Sequence, residues 1–413
     1  MRVFDARRET SAEIVRLSAS VAWEDSPRPP RTIWAEFPAE LEPSLSEELD
    51  GFTIVAAIVA QHHGERRLAI EGTLCPRLAG NVSAATSLLA GWFGGFVPGI
   101  EASRGFAARF SPPRARSALF FSGGIDSLFA LARNRDRYSP AHPAFFRDAI
   151  VVDGYCFHPA GGSPRARDYW RRTQRATSSA ARIAGLDPVF VRTNFRELED
   201  DFDFFGAKYH AAMLAAVAHL LSPRVTSATI SSGLDVPRLR PWGSHPVLDV
   251  LYSGSSLSIV HDGVESSRLE KVDRLAAWPA VLGSLMVCHE GPLGTDALNC
   301  GQCEKCLRTR AALEAAGALG SFETPGVSAA DLRDLPLGPH PWAVAGYWAE
   351  LADRFRARER PEMSAAAGEV ASRAGAITRW HDGRGWKGAF RRLDRRFFGS
   401  LLLRASRQLR ERT

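Results

Sequence analysis

Phe120-Phe121-Ser122-Gly123-Gly124-Ile125-Asp126-Ser127 is the stretch on which the fold turns. An apolar run at 117–121 enters two adjacent glycines, and 127–133 continues as a helix. Glycines let backbone amides come close to an oxyanion, and a helix starting there adds unpaired N–H groups and the positive end of its dipole. Ser122 and Ser127 contribute hydroxyl donors. Asp126 is an acid in a loop that otherwise attracts anions, which fits either a Mg²⁺ partner or a group that orients the loop amides. An ordinary Gly-Gly turn capped by Asp and Ser is the competing reading, and the strand before with the helix after counts against it. None of the four lysines, Lys208, Lys271, Lys305 and Lys387, follows a glycine, so there is no Walker A loop, and no GxGxxG follows a strand.

Working outward from the loop, strand and helix patterns alternate. A second apolar run at 149–152 ends at Val152 and Asp153-Gly154. A helix at 165–184 follows, then a strand at 189–192 closed by Thr193-Asn194, a strongly apolar helix at 207–221, and a strand at 225–230 ending in Ser231-Ser232-Gly233. This alternation predicts an α/β fold, a parallel sheet wrapped by helices. Ligands of such sheets sit outside the carboxyl ends of the strands, where the loop, Asp153, Thr193-Asn194 and Ser231-Ser232 fall. Residues 1–113 read as an independent N-terminal α/β domain, with strands at 32–37, 52–60 and 66–71 and a helix at 78–92. His62 and His63 read as turn residues in that segment, not as ligands. Ser111-Pro112-Pro113-Arg114 marks a boundary, a second domain spans 114–320, and 321–413 is a helical extension with helices at 342–356 and 365–380.

The bulk numbers suit a soluble globular protein: 413 residues, 45% hydrophobic and 24% charged. The N-terminus lacks an apolar run with a cleavage site, and the weakly polar stretch at 88–100 is too short to span a bilayer, so a cytoplasmic location with no transmembrane segment is expected. The formal charge of +6 is uneven, since residues 384–413 hold ten basic and two acidic side chains and the rest is near −2. RNA or an anionic membrane surface could use that tail; a solvated basic helix packed by Phe390, Leu393, Phe397 and Leu401 is the favoured reading. With 52 basic residues and only four lysines, a retained lysine invites a role that guanidinium cannot fill.

Four of the six cysteines fall within nineteen residues, as Cys288-x11-Cys300-x2-Cys303-x2-Cys306. Four thiolates make the ligand set of a closed tetrahedral Zn²⁺ site, and the paired x2 spacings form its knuckle. An iron–sulfur cluster is the chemical alternative. His289 reads as a packing neighbour, and Cys75 and Cys156 as small buried apolar residues.

Ser-Gly-Gly-Xaa-Asp-Ser after an apolar strand resembles the PP-loop of the ATP pyrophosphatase superfamily. With the cysteine run Cys300-Gly-Gln-Cys303-Glu-Lys-Cys306, residues 115–319 look like 7-cyano-7-deazaguanine synthase. The resemblance implies an adenine nucleotide α-hydrolase-like domain that binds ATP with Mg²⁺. The loop would grip the leaving pyrophosphate while a substrate carboxylate or carbonyl oxygen attacks the α-phosphate. Ammonia or another amine would then displace AMP. Ser122, Gly123, Gly124, Ile125, Asp126, Ser127, Val152 and Asp153 would line the nucleotide, and Arg268 and Lys271, in a segment like that family's lysine-bearing helix, would act with Asp126. The chain departs from that family by having over a hundred residues before the loop and by its substrate segment, which reads Arg240-Pro-Trp242-Gly-Ser244-His245-Pro-Val-Leu-Asp249. Trp242, His245 and Asp249 are expected to wall a small-molecule or peptide substrate, against a purely structural loop in which His245 and Asp249 satisfy each other. A tRNA-thiolating enzyme and a non-catalytic nucleotide-binding or assembly protein are the alternatives, RNA being the less favoured partner. The N-terminal segment is open to recognising a macromolecule or peptide or to forming a homodimer.

Overall fold

The structure, a computed structural model, describes residues 1–110, 112, 115–156, 160–289, 291, 295–322, 326–337 and 341–381. The basic stretch expected to form the tail lies outside them. The chain divides into two compact units, Met1–Cys300 and Gly301–Thr413.

In the first unit, ten strands of the described residues make one sheet: β1 (Arg2–Thr10), β2 (Ile14–Ala22), β3 (Arg31–Pro38), β4 (Arg67–Ile70), β5 (Gly99–Ala102), β6 (Ser117–Phe120), β7 (Phe146–Asp153), β8 (Asp187–Thr193), β9 (Ser227–Ser231) and β10 (Ser258–Asp262). Their order is β10-β9-β6-β7-β8-β3-β2-β1-β4-β5. The five strands from β10 to β8 are parallel. So are β1, β4 and β5. The three antiparallel pairings are β8–β3, β3–β2 and β2–β1. Residues on either side of position 113 therefore share one sheet, joined where Ala35 and Glu36 of β3 face Thr193 and Arg192 of β8.

The helices of this unit are α1 (Asp50–His63), α2 (Pro76–Phe93), α3 (Ile125–Arg137), α4 (Pro164–Ala184), α5 (Phe202–Phe204), α6 (His210–Leu220), α7 (Pro246–Asp249), α8 (Arg268–Ala276) and α9 (Pro279–Leu282). Alternation along the strands sorts their side chains by face. Ala118, Phe120, Ile150, Ala228 and Ile230 enter a core with α1 and α6. On β10, His261 turns to Asp249 of α7, while its neighbour Asp262 pairs with Arg133 of α3. The helices α1, α6 and α7 thus cover one face and α3 the other.

Residues 52–60, expected as a strand, lie within α1. Nearly every side chain of this helix is buried, so its apolar run carries no helical period, and an all-apolar run does not by itself tell strand from buried helix. Its length and its left-handed cap at Gly64 (φ 72°) mark the helix. The helix expected at 207–221 opens with a π-helical turn, Phe205–Tyr209, before α6. The N-terminal pair β1 and β2 had no counterpart among the sequence expectations.

The second unit holds α10 (Glu304–Ala316), α11 (Ala329–Arg333), α12 (Trp342–Ala357) and α13 (Pro361–His381). Trp348, Leu351 and Phe355 of α12 are buried, as are Met363, Ala367 and Val370 of α13. No helix among the described residues is long and apolar enough to cross a membrane.

Candidate nucleotide site and cysteine centre

β6 is flanked by β7 on one side and β9 on the other, and the chain runs β6, β7, β8 before jumping back to β9. The carboxyl ends of β6 and β9 therefore bracket a topological switch point, the place where open α/β sheets form a crevice. The 122–127 loop leaves β6 at that point. Phe121 N–H donates to Ile150 O (2.8 Å), carrying the sheet ladder up to the residue before the loop. Gly123 takes φ 72°, which a side chain resists, and its carbonyl accepts from Met286 N–H (3.0 Å). Ser122 Oγ accepts from Gly124 N–H (3.3 Å) and lies 3.4 Å from Ser127 Oγ, which donates to Gly124 O (3.1 Å). Gly124 is the N-cap of α3 and lends no side-chain bond to it. A helix start leaves its first amides without intrahelical partners, so this one is open to an anion.

Asp126, in the first turn of α3, is bound from the side by α8. Arg268 Nη1 donates to its Oδ2 (2.7 Å) and Lys271 Nζ to its Oδ1 (3.1 Å). Burial pushes the Asp126 carboxyl up, but the two cations outweigh it and hold the group below its ordinary value. Lys271 also donates to Ser232 O (2.5 Å) and is 2% exposed. Ser232 N–H in turn donates to Asp262 O (2.7 Å), so the ends of β9 and β10 are tied together beneath the ammonium. α8 is aimed by a capping box at Ser267 and Glu270, which fixes Arg268 and Lys271 three residues apart on one side of the helix. The structure brings Arg268 and Lys271, neighbours on α8, into contact with Asp126, which lies some 140 residues earlier in the chain.

The remaining expected positions sit around this centre or away from it. Asp153 ends β7, next to β6; its Oδ1 accepts from Gly154 N–H (2.9 Å) and Arg192 Nε stands 3.4 Å from Oδ2. Burial pushes its carboxyl up against those two contacts. Val152 packs against the apolar core. Asp249 is fully buried and accepts from Ser244 Oγ (2.7 Å), His245 N–H (3.0 Å) and His261 Nδ1 (2.7 Å). The His245 ring does not meet Asp249 there: it accepts from Val247 N–H (3.3 Å) and packs edge-on to Trp92 (5.1 Å). Trp242 covers Gly206 of the π-helical turn, where an added Cβ would stand 2.8 Å from the indole. This cluster belongs to the α6 and α7 face, opposite α3.

Sγ atoms of Cys288, Cys300, Cys303 and Cys306 lie within 4.8 Å of one another, so four thiolates converge on one point, the donor set of a closed metal centre. The segment leading to it is anchored from both sides. Met286 N–H bonds the glycine loop, while Asn299 Oδ1 accepts from Val287 N–H (2.9 Å) and Cys288 N–H (3.2 Å), and its Nδ2 donates to Leu285 O (2.8 Å). Cys75 is buried, as expected. Cys156 is not: it is half-buried, receives the Tyr169 hydroxyl (3.4 Å) and lies 3.9 Å from His289 Nε2. No spacing in the sequence links these three residues.

Comparison of the chain with protein-family models, with curated proteins and with solved structures gives no match to any of them.

Proposed function

We propose that the chain is an AMP-forming ATP pyrophosphatase of the PP-loop kind, similar in its reaction to 7-cyano-7-deazaguanine synthase. A substrate carboxylate or carbonyl oxygen attacks the α-phosphorus, the bond between α-phosphorus and bridging oxygen breaks, and pyrophosphate leaves. An amine or ammonia then attacks the activated carbon, loses a proton, and AMP departs. The observation that carries this reading is the Asp126–Arg268–Lys271 contact beside an uncapped helix start at the sheet's switch point.

Each residue has a task that its surroundings suit. The loop amides and the Ser122 and Ser127 hydroxyls hold the leaving phosphates, and Lys271 and Arg268 neutralise charge as it builds on pyrophosphate. Asp126 already gives one oxygen to each cation, so it serves as their anchor. Mg²⁺ bound with ATP would supply further charge neutralisation. Zn²⁺ held by Cys288, Cys300, Cys303 and Cys306 leaves no open position, which makes it a brace for the 285–288 segment against the loop. Thiolation chemistry needs a reactive cysteine pair, and with those four committed to metal and Cys75 buried against Ser255, it is the weaker reading.

Incubation with α-labelled ATP, Mg²⁺, ammonium and a panel of small carboxylates tests the proposal by nucleotide analysis. AMP and pyrophosphate in equal amounts are expected. ADP with phosphate, or intact ATP with every carboxylate, would count against it.

A further inference from the structure

On the α1 and α6 face of the sheet, a second set of metal-type ligands converges. His62 and His63 end α1, and Glu199 follows β8, more than a hundred residues later in the chain. One ligand atom from each of the three lies within 4.8 Å of the other two. Adjacent helical residues normally diverge by about 100°. Here the two imidazole rings instead meet with centroids 4.8 Å apart, and the His62 ring is backed by Phe204 at 4.4 Å.

A salt bridge between His63 and Glu199 is the plain explanation for part of this, and its geometry falls short. His63 Nε2 lies 2.9 Å from Glu199 Oε2, yet the nitrogen is buried and makes no aligned hydrogen bond. Close approach without alignment is the relation between two ligands of one cation, whose lone pairs point to a common centre and not at each other. In a tetrahedral site with bonds of about 2.0–2.1 Å, neighbouring ligand atoms stand about 3.3 Å apart. The carboxylate is also fixed by hydrogen bonds, as ligating carboxylates are: Arg28 Nη1 donates to Oε2 (3.1 Å), the oxygen nearest His63, and Asp201 N–H to Oε1 (3.1 Å). Asp201 in turn caps α5 through Phe204 N–H (2.7 Å), placing the aromatic backing of His62.

We infer that His62, His63 and Glu199 form a second metal site, for a borderline divalent cation such as Zn²⁺, separate from the four cysteines. Two imidazoles and one carboxylate leave the fourth position to water, so this centre is open where the cysteine centre is closed. The inference stands independently of the nucleotide chemistry.

Cobalt(II) is the probe, because its absorption reports ligand type. Protein whose cysteine centre is filled is titrated with Co²⁺ in wild type, His62→Ala and Glu199→Gln. His62 is exposed, so its removal spares the fold. Wild type is expected to take one further equivalent with weak bands free of sulfur charge transfer, and each variant to bind it at least tenfold more weakly. No further equivalent in wild type, or equal binding in all three proteins, would overturn the inference.

Discussion

Lys271 is one of four lysines in a chain with 52 basic residues, and it is buried with its ammonium between Asp126 and Ser232 O. A compact ammonium with three donors fits a narrow position between a carboxylate and a carbonyl that a planar guanidinium fork does not. Asp126 is the other half of that arrangement. Its carboxyl is depressed in the folded state, so its ionisation stabilises the fold above the unfolded value of about 3.9, and that contribution is lost as pH falls below it. Replacing Asp126 by Asn leaves a buried lysine without its counter-ion. We expect a loss of roughly 1–3 kcal/mol at pH 7, between the values for exposed and fully buried pairs, since Asp126 is partly exposed. Denaturant unfolding of both proteins at pH 7 and pH 3.5 checks this. The gap between them should narrow at the lower pH, and an equal gap at both would assign the loss to something other than charge.

At the scale of elements, α8 is the lever on the site. Its Ser267 and Glu270 box fixes the start of the helix, and within that first turn the helix delivers Arg268 and Lys271 to α3. Ser267→Ala should cost about 1 kcal/mol of stability, the usual worth of such a cap. It should also loosen the loop: hydrogen exchange at the amides of 124–127 is expected to quicken, and unchanged exchange there would break the link between helix and loop. The loop and its flanking strand and helix were legible because glycine pairs, apolar runs and helix starts are local signals. So were the four cysteines. The segment 52–60 misread because a helix buried all round has no polar face to set its period. The π-helical turn before α6 left no mark in the sequence either, since its cause is tertiary: Gly243 N–H bonds Gly206 O (3.1 Å) and Trp242 lies on Gly206.

For the molecule as a whole, the decisive feature is one sheet that runs through both the N-terminal strands and the parallel half. The β3–β8 junction joins residues more than 150 apart, and pairings at that distance carry no local signature. The same holds for the meeting of His62 and His63 with Glu199 and of Cys156 with His289. The sequence pattern located the glycine loop, and the topology sets it between the ends of β6 and β9, with β10 and α8 to one side. The Trp242, His245 and Asp249 segment, expected as a substrate wall, is built around a buried carboxylate satisfied by three donors.

The most direct test is a crystal structure of the protein with Mg²⁺ and an ATP analogue whose α,β-bridging oxygen is replaced by methylene, so that the scissile bond survives. The β- and γ-phosphates are expected against the amides of Gly124, Ile125, Asp126 and Ser127, with Lys271 and Arg268 within hydrogen-bonding reach. Triphosphate bound elsewhere, or a loop left without phosphate at saturating analogue, would contradict the account.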